Sequence, residues 1–104
     1  MATYLFVYHG GRAPSTMEEG QQAMAAWGQW FASMGAEVVD PGNPVGASTT
    51  VNHDGSVVGH GGANPATGYS VVNARDLNDA IAKDKGCPIL LMGSSVELAE
   101  TFEP

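Results

Sequence analysis

Apolar residues in the first ten positions fall on both sides of an alternating chain. From Thr3 to His9, Tyr4, Phe6 and Tyr8 point one way and Leu5, Val7 and His9 the other. Such a segment predicts a strand in the interior of a sheet. Gly10 and Gly11 end it, Arg12-Ala13-Pro14 reads as a turn, and Ser15 with Glu18 three residues on predicts a helix cap. Met17, Met24, Trp27, Phe31 and Met34 then recur at intervals of three, four or seven, the mark of one helical stripe from Thr16 to Met34.

Gly35 stops that helix, and Ala36 to Asp40 predicts a second strand that ends at the Pro41-Gly42-Asn43-Pro44 bend. Thr49 to His60 predicts a hairpin around a two-residue Asp54-Gly55 turn, pairing His53 with Ser56, Val51 with Val58 and Thr49 with His60. Thr67 to Val72 alternates as a strand, and Asn73 is placed to cap a second helix. In that helix Asp76 and Asp79 at the start and Lys83 and Lys85 at the end follow the dipole, a structural role, while Leu77, Ala80 and Ile81 face inward. Pro88 to Met92 and Ser95 to Phe102 predict two final strands.

The order is that of an α+β protein: a ferredoxin-like split β-α-β fold with an inserted hairpin, forming one domain over residues 1–104. Its helices would cover one face of an antiparallel sheet. Since several strands are apolar on both sides, the bare face predicts a homodimer packed sheet on sheet, a dimeric α+β barrel.

Charge narrows the partners. A formal net charge of −7 over 104 residues repels phosphate backbones and anionic lipid, so neither nucleic acid nor a membrane surface is an expected partner. Cys87 is the single cysteine, which rules out an intrachain disulfide and a multi-thiolate metal site. The apolar opening, MATYLFVY, is too short for a spanning helix and has no basic residue before it, so it reads as a strand of a cytoplasmic protein. No Gly-x-Gly-x-x-Gly or phosphate loop occurs, and Ser94-Ser95 after Gly93 makes no nucleophile elbow, so no cofactor is expected.

Several fragments, taken in order, carry a family likeness: Tyr8-His9-Gly10-Gly11, Trp27-x-x-Trp30-Phe31, Gly35-x-x-Val38-Val39-Asp40-x-Gly42-Asn43-Pro44, Gly68-Tyr69-Ser70, Gly86-Cys87-Pro88 and Val96-Glu97. Together they resemble the YCII-related, or DGPF-domain, family of small bacterial proteins. The resemblance implies a dimeric α+β barrel with a cleft between sheet and helices. It also implies lyase- or hydrolase-like chemistry on small organic substrates, with a His and Asp pair. Two departures stand out: the first helix holds no histidine, and Asp54-Gly55 continues as Ser56-Val57 instead of Pro-Phe.

His9, at a strand end, is a candidate general base if Asp40 orients it, although a histidine there also simply ends a strand. Arg12 is a candidate for a substrate carboxylate, and Trp27, Asn43 and Tyr69 are candidate contacts for a small organic ligand. Each has an ordinary alternative in a turn or a core. His53 and His60 would lie roughly 13 Å apart along the hairpin, too far to share an ion, so no metal site is expected. Cys87, beside a proline, reads as a buried small residue. Two functions remain open: a small-molecule binding domain with or without catalysis, and a non-catalytic interaction or regulatory module.

Overall fold

The first strand, β1 (Ala2–His9), buries alternate residues as its pattern demands, with Tyr4, Phe6 and Tyr8 inside and Leu5, Val7 and His9 half-buried on the other side. This computed structural model describes residues 1–11 and 14–103, so the expected Arg12 contact lies outside the described residues. Helix α1 (Met17–Met34) is capped by Thr16, whose hydroxyl accepts the Glu19 N–H at 3.0 Å. The Glu19 carboxylate receives the N–H and hydroxyl of Ser15 at 2.9 and 2.8 Å. The cap stands one residue later than Ser15 and Glu18 predict, with Thr16 accepting at the first turn and Glu19 reaching back to Ser15, the residue before the cap.

A 3₁₀ turn (Gly35–Glu37) shortens the expected second strand to β2 (Val38–Asp40). Next come β3 (Thr50–Val51) and β4 (Val57–Val58), paired Thr50 to Val58 and Val51 to Val57. This register is one residue away from the sequence expectation. The loop has three residues: the Gly55 N–H reaches Asn52 O at 2.9 Å, the Asn52 N–H reaches Ser56 O at 2.8 Å, and Gly55 sits at φ +86°. Asp54 decides the difference, because its carboxylate accepts both the Ser56 hydroxyl at 2.7 Å and the Ser56 N–H at 2.9 Å. Those bonds, the hydroxyl first, hold its pKa below the ordinary carboxylate value. They select a type I turn closed by a left-handed glycine over a type I′ turn.

Strand β5 (Ala66–Ala74) runs past the expected helix cap. Asn73 stays in the strand, where its side-chain oxygen accepts the Thr3 hydroxyl at 2.7 Å, and Asp76 caps α2 (Leu77–Asp84) through the Asp79 N–H at 2.8 Å. Pro88 to Met92 is a 3₁₀ helix and not a strand. Proline fixes its first dihedral, Gly93 at φ +71° ends it, and β6 (Ser95–Glu100) already occupies the free edge of β1.

The four-stranded sheet has the order β2-β5-β1-β6 with every neighbouring pair antiparallel, and β3 with β4 forms a separate two-stranded sheet. The molecule is thus α+β with two α-helices among the described residues. Phe6, Val72 and Ser70 are fully buried on the sheet face that meets Trp30 and Met34 of α1 and Ala80 of α2. Alanine at positions 74 and 80 lets α2 lie close to β5. No helix among the described residues is long and apolar enough to cross a membrane.

The chain is a thin slab of 43 × 41 × 19 Å with a radius of gyration of 15.0 Å, against about 13 Å for a compact domain of this length. It exposes 6832 Å², where a compact monomer of its mass exposes about 5,500 Å².

Candidate functional site

A groove of about 770 Å³ runs between α1 and the bend that follows β2. The bend is fixed from several sides. Gly42, at φ +72°, donates its N–H to Asp40 Oδ1 at 2.8 Å, and a Cβ at this position would lie 1.8 Å from the Tyr69 carbonyl oxygen. Only glycine permits so close a crossing over β5. The Tyr69 N–H reaches Asn43 O at 3.3 Å, the Val45 N–H reaches Thr67 O at 3.0 Å, and Pro44 bridges to Gly68. Beneath the bend the Tyr8 hydroxyl donates to Ser70 Oγ at 2.7 Å, and Ser70 donates to Pro41 O at 2.6 Å. Burial raises the Tyr8 pKa, so that hydroxyl stays a neutral donor.

The groove's inner wall is aromatic. Trp27 lies edge-on to Tyr8 at a ring separation of 5.1 Å and against Phe31 at 5.8 Å. Met17 and Met24, 82% and 77% exposed, form its outer rim. Among the described residues that line it none carries a charge, and the polar side chains are Gln21, Asn43 and Thr67 beside the two tyrosines, Tyr8 and Tyr69. The Thr67 hydroxyl is already turned to the Gly10 and Tyr8 carbonyls at 3.0 and 3.2 Å. Such a lining suits an apolar or aromatic molecule oriented by one or two amide contacts.

Of the residues singled out from sequence, Trp27, Asn43 and Tyr69 border this one groove. His9 and Asp40 are not brought together. His9 pairs with Ala66 on β5, whereas Asp40 pairs with Val71 one strand further out, a separation of about 16 Å along β5 alone. The carboxylate near His9 is Glu97, whose Oε1 lies 3.0 Å from Nε2, and Nδ1 donates to Asn64 O at 2.9 Å. Each ring nitrogen faces an acceptor, which leaves no lone pair directed at a substrate. Asp40 spends its carboxylate on the Gly42 turn.

His60 Nδ1 accepts the Gly62 N–H at 3.0 Å, a turn role. The thiol of Cys87 is buried and pushed up to about 12, chiefly by desolvation, so it is not a nucleophile. Lys83 is held by Asp79 at 2.7 Å and Glu37 at 3.1 Å, a structural use of that cation.

Sequence reasoning missed Gln21, Met17 and Met24 as groove residues. The methionines lie on the same apolar stripe as the core positions, and a stripe does not say which of its members are covered. No family model matches the chain, and no curated protein sequence matches it.

Proposed function

We propose that the chain is a YCII-like protomer of a ferredoxin-like homodimer that binds a small, neutral, largely apolar organic molecule in the groove between α1 and the 41–44 bend. The groove itself carries the reading: its volume lies within the roughly 300–1,000 Å³ range of ligand sites, and its aromatic wall stands on α1 and β1 instead of on a loop. The reading is binding and not turnover, because the described lining offers no carboxylate, imidazole or thiol as base or nucleophile. The sheet order β2-β5-β1-β6, with the hairpin set aside, supports the ferredoxin-like assignment.

The homodimer draws its support from two observations. Leu5, Val7 and Val71 stand on the sheet face opposite the helices. The excess surface of about 1,300 Å² over a compact monomer exceeds the roughly 800 Å² per partner of a standard interface.

The test is a titration with a neutral environment-sensitive dye, N-phenyl-1-naphthylamine, alongside wild type and Trp27→Ala. Saturable binding that the variant weakens at least tenfold supports the groove; equal binding by both proteins removes it. The exposed methionine rim favours a second reading, a groove for an apolar segment of another protein, since Met-rich surfaces adapt to varied partners. Absence of dye binding with retained fold would put that reading first.

A further inference from the structure

The β3–β4 hairpin stands apart from the rest of the molecule. Its two strands of two residues pair only with each other, and it joins neither edge of the main sheet. A two-stranded hairpin alone in water is marginally stable, so an arm of this length needs either internal staples or a surface to lie on. The staples are present at the tip, where Asn52 Nδ2 donates to Ser56 Oγ at 2.9 Å and Asp54 holds Ser56 from the other side. At the base the Thr50 hydroxyl donates to His60 O at 2.7 Å.

The shape is therefore prepared, but its apolar residues are not covered. Val51 and Val57 sit directly opposite each other, share one face, and are 69% and 64% exposed. A loop serving only as a connection has no need of an opposed valine pair on a stapled scaffold. The two valines pack on each other across the strands, yet at this exposure most of their apolar surface is left in water, where a partner surface could cover it.

From this we infer that the hairpin is a docking arm whose Val51–Val57 face packs on a second copy of this chain. Three observations select that occupant. The slab exposes about 1,300 Å² more than a compact monomer, enough for an interface that includes the arm. Both roots of the arm, Pro44 bridged to Gly68 and the start of β5 at Ala66, lie at one end of the sheet whose bare face is proposed above to meet a partner copy. Between Thr50 and Val58 the only residue among Asp, Glu, Lys and Arg is Asp54, already bound in its own turn, so a chain of net charge −7 meets little repulsion there from its own copy.

This inference rests on the homodimer reading, and the experiment separates the two. Sedimentation equilibrium is measured on the full chain, wild type and V51S/V57S, with far-UV circular dichroism as the control for fold. The expected result is a wild-type dimer whose dissociation constant rises about tenfold or more in the double variant at unchanged helicity. Equal dissociation constants would overturn the arm while leaving the dimer standing. A wild-type monomer at high micromolar concentration would overturn both.

Hydrogen exchange on wild type supplies a readout that needs no variant. The Asn52 and Gly55 amides, bonded within the arm, should lose protection on dilution below the dissociation constant. Concentration-independent exchange there at a dilution where the dimer has dissociated also overturns the arm.

Discussion

The apolar face of α1, the stripe from Met17 to Met34 with Trp30 at its edge, ends in opposite environments in its two halves. In the C-terminal half Trp30 and Met34 are each 6% exposed, whereas in the N-terminal half Met17 and Met24 are among the most exposed large apolar residues. The difference lies in what faces them. Trp30 meets Phe6 at 6.2 Å, and its ring N–H donates to Lys83 O at 2.9 Å, so sheet and second helix close over it. Opposite Met24 the 41–44 bend stands off and leaves the groove. Helical periodicity thus identifies a stripe that must be covered, while the supply of covering surface decides whether that becomes core or site.

The sharpest way to break this comparison is at the covered half. Trp30→Ala removes a buried indole, its aromatic contacts and a bond to a backbone carbonyl. It should lower stability by about 3–5 kcal/mol, read from the urea denaturation midpoint. A loss below about 1 kcal/mol would mean that the two halves do not differ as described.

Gly42 tests the uncovered half from its far wall. Gly42→Ala puts a methyl against the Tyr69 carbonyl at a positive φ, so the bend must shift. The expected cost is about 2 kcal/mol, together with loss of dye binding in the groove. Unchanged binding would show that the bend is not a wall of the site.

Much of the framework was legible in the chain, and the reasons are local. The two-sided alternation of β1 and the stripe of α1 follow from side-chain geometry alone, and both elements stand within a residue or two of expectation. Pro88 to Met92 misled because an apolar run reads equally as a buried strand, and only the prior occupation of β1's edge by β6 excludes it. The hairpin register turned on one carboxylate, Asp54, whose choice of partner no pattern of apolar residues records. At the site, Trp27, Asn43 and Tyr69 were visible as residues but not as the two sides of one groove. The His9 and Asp40 pairing failed because strand register, not sequence, decides which carboxylate a strand-end histidine meets.

Asp84 probes the packed end electrostatically. One of its oxygens is buried without a hydrogen-bond partner, and desolvation lifts its pKa from 3.8 to about 6. The folded state therefore holds this proton more tightly than the unfolded chain. Its contribution lowers stability as pH rises from about 4 to 6, and the penalty is complete above that. Asp84→Asn should raise stability at pH 7.5 by about 1 kcal/mol, a figure reduced because the carboxyl is only partly desolvated, with no gain at pH 3.5. Asp79 has the opposite sign. Its pKa is drawn down to about 2, first by the hydrogen bond from Lys83, so its contribution is present above about pH 4 and lost as pH falls towards 2. A pH-independent difference between Asp84→Asn and wild type would remove the desolvated carboxyl from the account.

The smallest expected effect on stability is the most informative about function. Met24 belongs to the same stripe as Met34, so a purely structural view of α1 predicts that truncating either leaves a cavity. At 77% exposure there is little packing to lose, and Met24→Ala should change the denaturation midpoint by an amount equivalent to about 0.5 kcal/mol or less. The same side chain forms the groove rim, where a bound apolar molecule would cover it and recover part of the transfer energy that water now denies. Dye affinity should therefore fall about three- to tenfold in a protein of unchanged stability. That separation of binding from folding is what distinguishes a site from an incomplete core. If Met24→Ala instead destabilises the chain by 2 kcal/mol or more, the order known for buried methionine truncations, the outer half of α1 is covered in solution and the groove is closed.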